Sequence, residues 1–147
     1  MTKPFVRSGL AALACIAALV LAAPSIAATV NLKGDLKASN EIPPNDSKGT
    51  GTITATYDTA TKKLSWKGTY SGLTGPVTAA HFHGSNPPSP PAANSAIALP
   101  AQVSASPFEG SSTLTDEQAA DLVAGKWYFN IHTATNKGGE IRGQVTK

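Results

Sequence analysis

The chain has 147 residues, a net charge of only +3, three histidines and a single cysteine. Lys3 and Arg7 carry two of those charges in a segment that reads as removable, so the remainder lies near +1 and carries no basic stripe of the kind that nucleic-acid binding needs. That remainder is about 120 residues long, the size of one ordinary domain. Without the cysteine it holds no disulfide, and it must build a real apolar core.

Met1 to Ala28 reads as a secretory signal. Lys3 and Arg7 form its positive start. Leu10 to Ala23 is an apolar run, and Pro24 and Ser25 break it. Ser25-Ile26-Ala27-Ala28 then offers small residues, with cleavage expected after Ala27 or Ala28. The run is shorter than the roughly 20 apolar residues of a membrane-spanning helix, which sets the signal reading ahead of a retained anchor. Cys15 lies before the apolar run has finished, so the reading assigns it no lipid. The expected location is the periplasm or the extracellular medium, with no membrane attachment after cleavage.

The rest of the chain reads as short strands in sequence. Thr29 to Ser39 alternates weakly, with a bulge or bend expected at Gly34. Asn40-Glu41-Ile42-Pro43-Pro44-Asn45-Asp46 is a turn-rich connection. Thr50 to Tyr57 and Leu64 to Tyr70 alternate cleanly and form a hairpin through Asp58-Thr59-Ala60-Thr61. Lys62, Lys63 and Lys67 are the only basic cluster, and strand alternation is expected to split them between two faces. Val77 to His83 is a further strand. The stretch from Gly84 to Asn94 carries four prolines and is read as a long surface loop. Ile97 to Leu99 with Val103, and Phe108 to Leu114, are weaker strands.

Thr115-Asp116-Glu117-Gln118 has the form of a capping box, and Gly125 is a natural stop. One short helix therefore precedes the strand Trp127 to Thr133. A turn at Ala134 to Gly139 leads into a last strand from Glu140 to Thr146. The expected fold is all-β: an antiparallel Greek-key β-sandwich or barrel, with one short helix before a late strand. Ile53, Leu64, Trp66, Phe82, Phe129, Ile131, Ile141 and Val145 are the expected core.

The functional signal is the placement of the histidines. His81 and His83 flank Phe82 on one strand, and alternate side chains of a strand share a face. Trp127, Phe129 and Ile131 share one parity of the later strand; Tyr128, Asn130 and His132 share the other. With the aromatic parities facing the core, all three imidazoles face away from it. Neutral imidazole is a ligand for copper, zinc, nickel and iron. An H-x-H pair and a histidine from a neighbouring strand can place three nitrogens about one ion, leaving an open position. Copper is preferred over zinc because no thiolate or carboxylate cluster offers a closed zinc cage. In the competing reading the imidazoles donate to backbone carbonyls and brace the strand and the proline loop. Glu41, Glu140 and Arg142 show no spacing that brings two carboxyl groups onto a substrate. Glu140 and Arg142 share a parity and read as a surface pair, and Glu41 as a turn brace. No nucleophile elbow or phosphate loop is present.

The chain resembles the CHRD domain, a module named for its occurrence in chordin and found alone in many exported bacterial proteins. The resemblance covers essentially all of residues 29–147. It is carried by Asn40-Glu41-Ile42-Pro43-Pro44, Gly49-Thr50-Gly51, Ala80-His81-Phe82-His83-Gly84, Gly125 to Thr133 and Gly138 to Gln144. It implies an all-β extracytoplasmic module without a well-established catalytic activity. The growth-factor antagonism of chordin is not carried over to a single-domain chain. The arrangement of His81, His83 and His132 is also similar to the copper ligands of copper/zinc superoxide dismutase, although this chain has no histidine for a bridging ligand or a zinc subsite.

The sequence therefore sets out three expectations. The first is an exported CHRD-type protein that binds a metal ion, copper before zinc, through His81, His83 and His132, with no catalytic residue assigned. The second is a structural or interaction module whose partner is another extracytoplasmic protein. The third is a copper redox enzyme.

Overall fold

The structure, a computed structural model, describes residues 27–84 and 97–147. The segment read as a secretory signal, apart from Ala27 and Ala28, lies outside the described residues, as do Cys15 and nearly all of the proline loop. Eight strands form one antiparallel sheet: β1 (Thr29–Lys37), β2 (Thr50–Asp58), β3 (Lys63–Ser71), β4 (Val77–His83), β5 (Ile97–Ala101), β6 (Phe108–Thr113), β7 (Trp127–Thr133) and β8 (Ile141–Val145). The helix α1 (Asp116–Val123) lies between β6 and β7. The strand order is β5-β4-β7-β8-β1-β2-β3-β6. β7 returns to lie beside β4 rather than beside β6, which is the return of a Greek key.

The sheet rolls into a nearly closed barrel because each strand offers one apolar face. Four strands separate β3 from β4 in the sheet, yet Trp66 meets Phe82 edge-on at 5.2 Å. Phe108 of edge strand β6 stacks on Phe129 of β7 at 5.7 Å. All eight residues expected in the core are buried, joined by Leu32, Leu36, Tyr57, Leu122 and Trp127. Around 25 cal/mol for each Å² of apolar surface removed from water makes this cluster the main stabilising term.

β1 runs through Gly34 with continuous pairing to β2, so the expected bulge is absent. The glycine serves a close approach instead. A Cβ on Gly34 would stand 2.7 Å from the Gln144 carbonyl oxygen, and one on Gly143 would collide with the Asp35 carbonyl. β1 and β8 are joined on either side of this contact, by Lys33 and Thr146 and by Lys37 and Arg142. Register shifts occur in β4 instead, between Phe82 and His83 against β5 and between Val77 and Ala79 against β7.

α1 has the expected capping box. Thr115 Oγ1 accepts from the Gln118 N–H, and Gln118 Oε1 accepts from the Thr115 N–H. Gly125 follows with φ of 73°. Ala119 and Leu122 bury the inner side of the helix. Among the described residues no helix is long and apolar enough to cross a membrane. The lysines differ from expectation. Lys62 occupies the turn and pairs with Asp116 at 2.6 Å, whereas Lys63 and Lys67 share the outward face of β3.

Candidate metal centre

The three histidines converge on the outer face of β4 and β7. Phe82 points into the barrel, so His81 and His83 point out of it, and Ile131 and Thr133 do the same for His132. Ala79 is paired with His132 across the strands, and His81 with Asn130. One ligand nitrogen from each ring can be chosen so that all three lie within 4.8 Å of one another. His81 Nδ1 stands 3.2 Å from His132 Nε2. Nitrogens bound to one ion at about 2.0–2.1 Å stand roughly 3–4 Å apart, so a small side-chain adjustment suffices to close the trio.

His132 is oriented by the backbone. Its Nδ1 lies 2.9 Å from the Lys137 carbonyl oxygen. A carbonyl only accepts, so Nδ1 carries the proton, and in the neutral ring Nε2 keeps the lone pair. Such an outer hydrogen bond is how ligating histidines are commonly fixed. His81 is held below the usual histidine range, first by burial and then by the neighbouring His132 and His83. It therefore stays neutral near pH 7 and has a lone pair to offer.

His83 is held differently. Its ring lies against Tyr128 at 4.5 Å with planes 5° apart. The Arg142 guanidinium carbon sits 3.5 Å from the Tyr128 ring centroid. Since β4 and β8 flank β7, His83 and Arg142 reach Tyr128 from opposite sides of its strand.

Strand alternation puts Tyr128, Asn130 and Arg142 on an outward face, and they do point outward, yet all three are buried. The cover is the segment between β1 and β2. Asn40 Nδ2 donates to the Arg142 carbonyl at 3.0 Å, and Asn45 Nδ2 donates to the Glu140 carbonyl at 3.0 Å. Glu41 is thereby brought onto the face beside Arg142 and Asn130, with its carboxyl against Gly139. Burial pushes that carboxyl up to about 7, although Arg142 and a hydrogen bond from the Asn130 side chain pull it down.

Glu140 and Arg142 are not the surface pair expected from their parity. Glu140 is fully buried and accepts from Ser47 Oγ at 2.6 Å, Thr74 N at 2.7 Å, Thr74 Oγ1 at 3.0 Å and Thr133 Oγ1 at 2.5 Å. Burial alone would raise its pKa, but these four hydrogen bonds outweigh it and hold the carboxyl at about 2. Glu41, read as a turn brace, instead reaches past its own turn to the Asn130 side chain on β7. Asn130 and Tyr128 contact the histidines directly, and nothing in the sequence singles them out beyond their parity with His132.

Fold and site together define a single antiparallel β-barrel module bearing a three-histidine cluster on its outer face. The CHRD domain family model matches residues 32–145, so the chain belongs to the CHRD-domain family. Comparisons with curated proteins and with solved structures return no match.

Proposed function

We propose that this CHRD-domain protein is an exported metal-binding protein whose ion, copper before zinc, is held by His81, His83 and His132. The observation that carries the reading is the convergence of three imidazole nitrogens from two strands, with His132 Nε2 turned toward His81 Nδ1 by the Lys137 carbonyl. Two further features support it. Burial and neighbouring rings keep His81 neutral. Imidazole donors without a thiolate suit copper(II) better than a closed zinc cage. The proposed role is binding or handling of the metal. Export is proposed from the Met1 to Ala28 segment alone, and it places the site in a compartment outside the cytoplasm.

The test is calorimetric titration of the purified protein with copper(II), and with copper(I) under anaerobic conditions, beside a variant with all three histidines changed to alanine. One-to-one binding lost in the variant supports the reading. Equal heats from both proteins would remove it and leave the imidazoles as braces, as the His132 to Lys137 contact allows.

A further inference from the structure

Asn130 stands in an arrangement that a structural amide does not need. Its side-chain oxygen lies 3.1 Å from His132 Nε2, and its side chain hydrogen-bonds the Glu41 carboxyl at the other end. The Asn130 hydrogen bond favours the ionised Glu41 carboxyl, which only accepts, so in that form Glu41 takes the amino end of the amide and the Oδ1 end is the one turned to the histidines. The Lys137 carbonyl places the His132 proton on Nδ1. His132 Nε2 and Asn130 Oδ1 then face each other as lone-pair donors at 3.1 Å, and His81 Nδ1 lies 3.2 Å from the same Nε2, where it offers a lone pair in one tautomer and a proton in the other. A proton on His81 Nδ1 bridges it to His132 Nε2 in the metal-free protein, but Asn130 Oδ1 has no proton to offer, so its contact with the Nε2 lone pair is repulsive unless a cation lies between them. Two ligands held about 2.0–2.2 Å from one ion, at right-angled to tetrahedral spacing, stand about 3.0–3.5 Å apart, which both separations satisfy.

We infer that Asn130 Oδ1 is a fourth ligand of the metal, and that Glu41 is the positioning residue that keeps this oxygen turned toward the ion. The inference rests on the three-histidine reading and goes beyond it, since it gives the site an oxygen donor. An amide oxygen beside imidazoles resembles the weak axial position that Gln or backbone oxygen takes in some copper sites, and it favours a divalent ion over copper(I). Pairing of His81 with Asn130 in the sheet puts both side chains on one face, so the fourth donor is delivered by register. Asn130 is buried, and its orientation is set before an ion arrives.

The experiment is electron paramagnetic resonance of the copper(II)-loaded protein, wild type and variants. In wild-type protein labelled with 13C-asparagine, a 13C coupling to the copper is expected alongside couplings from three imidazole nitrogens. Asn130→Leu should keep the three nitrogens, lose the 13C coupling and bind copper(II) about 10- to 100-fold more weakly. Glu41→Leu should weaken binding with a broadened spectrum, whereas Glu41→Gln, which still accepts from the amide, should not. Three nitrogen couplings without any 13C coupling in the wild-type protein would overturn the fourth ligand and leave the histidine site standing. The wild-type measurement is independent of whether Asn130→Leu folds. Absence of copper from the wild-type protein would overturn the histidine reading and this inference together.

Discussion

Tyr128 lies flat against His83, with ring centroids 4.5 Å apart, and carries the Arg142 guanidinium 3.5 Å from its centroid. The relationship joins three adjacent strands on the outer face of the barrel, β4, β7 and β8. Aromatic pairs contribute about 0.5–1.5 kcal/mol beyond area burial, and a desolvated cation over a ring about 2 kcal/mol. Tyr128→Leu should therefore lower the stability of the metal-free protein by about 2–3 kcal/mol in urea unfolding. Tyr128→Phe retains both ring contacts and should lose clearly less. Equal losses in the two variants would show that the stack contributes nothing.

Glu140 predicts an acid limit. Its carboxyl is held at about 2, against an ordinary value of 4.5. The folded state thus favours the ionised form. The stabilisation is fully present above pH 4.5 and disappears as pH falls toward 2. Its size is about 3 kcal/mol, since each tenfold gain in acidity on folding corresponds to about 1.36 kcal/mol. Glu140→Gln should remove this dependence and should unfold at lower urea concentration at about pH 7. A wild-type unfolding profile that is flat between about pH 5 and pH 2.5 would contradict the assignment.

Gly139 has φ of +128°, and a Cβ built on it would collide with the Glu41 carboxyl. Gly139→Ala meets both a strained backbone, of order 1–3 kcal/mol, and a displaced buried group. A loss of more than about 2 kcal/mol is expected, with weaker copper(II) binding as Glu41 leaves Asn130. Thermal unfolding and titration of the same sample check the two effects together. Unchanged binding in a destabilised variant would separate Glu41 from the site.

Thr115→Ala removes the side-chain acceptor of the α1 N-terminus. Such caps contribute about 1 kcal/mol. The contacts that orient the histidines come from β4, β7 and Lys137, not from this helix. The variant should therefore lose about 1 kcal/mol in urea unfolding while copper(II) affinity stays the same, which makes it the control for nonspecific destabilisation.

The alternation of Ile53, Leu64, Trp66, Phe82, Phe129 and Ile131 made the strands and the inner face legible, because side-chain direction in a strand follows from period two alone. The same parity put His81, His83 and His132 outside the core, and the Thr115 and Gln118 spacing marked the start of α1. Gly34 was legible as exceptional but not for its reason. Its constraint comes from the carbonyl of Gln144, on a strand at the far end of the chain.

By itself, then, the sequence determined the strand faces, the helix start and the shared side of the three imidazoles, since each depends on local geometry. Only the tertiary structure decided that this outer face is partly buried. Segment 38–47 folds across β7 and β8 through Asn40 and Asn45, bringing Glu41 to Asn130 and Arg142. Periodicity assigns a side chain to a face, but whether that face meets water depends on which distant segment has enough hydrogen bonds to lie on it.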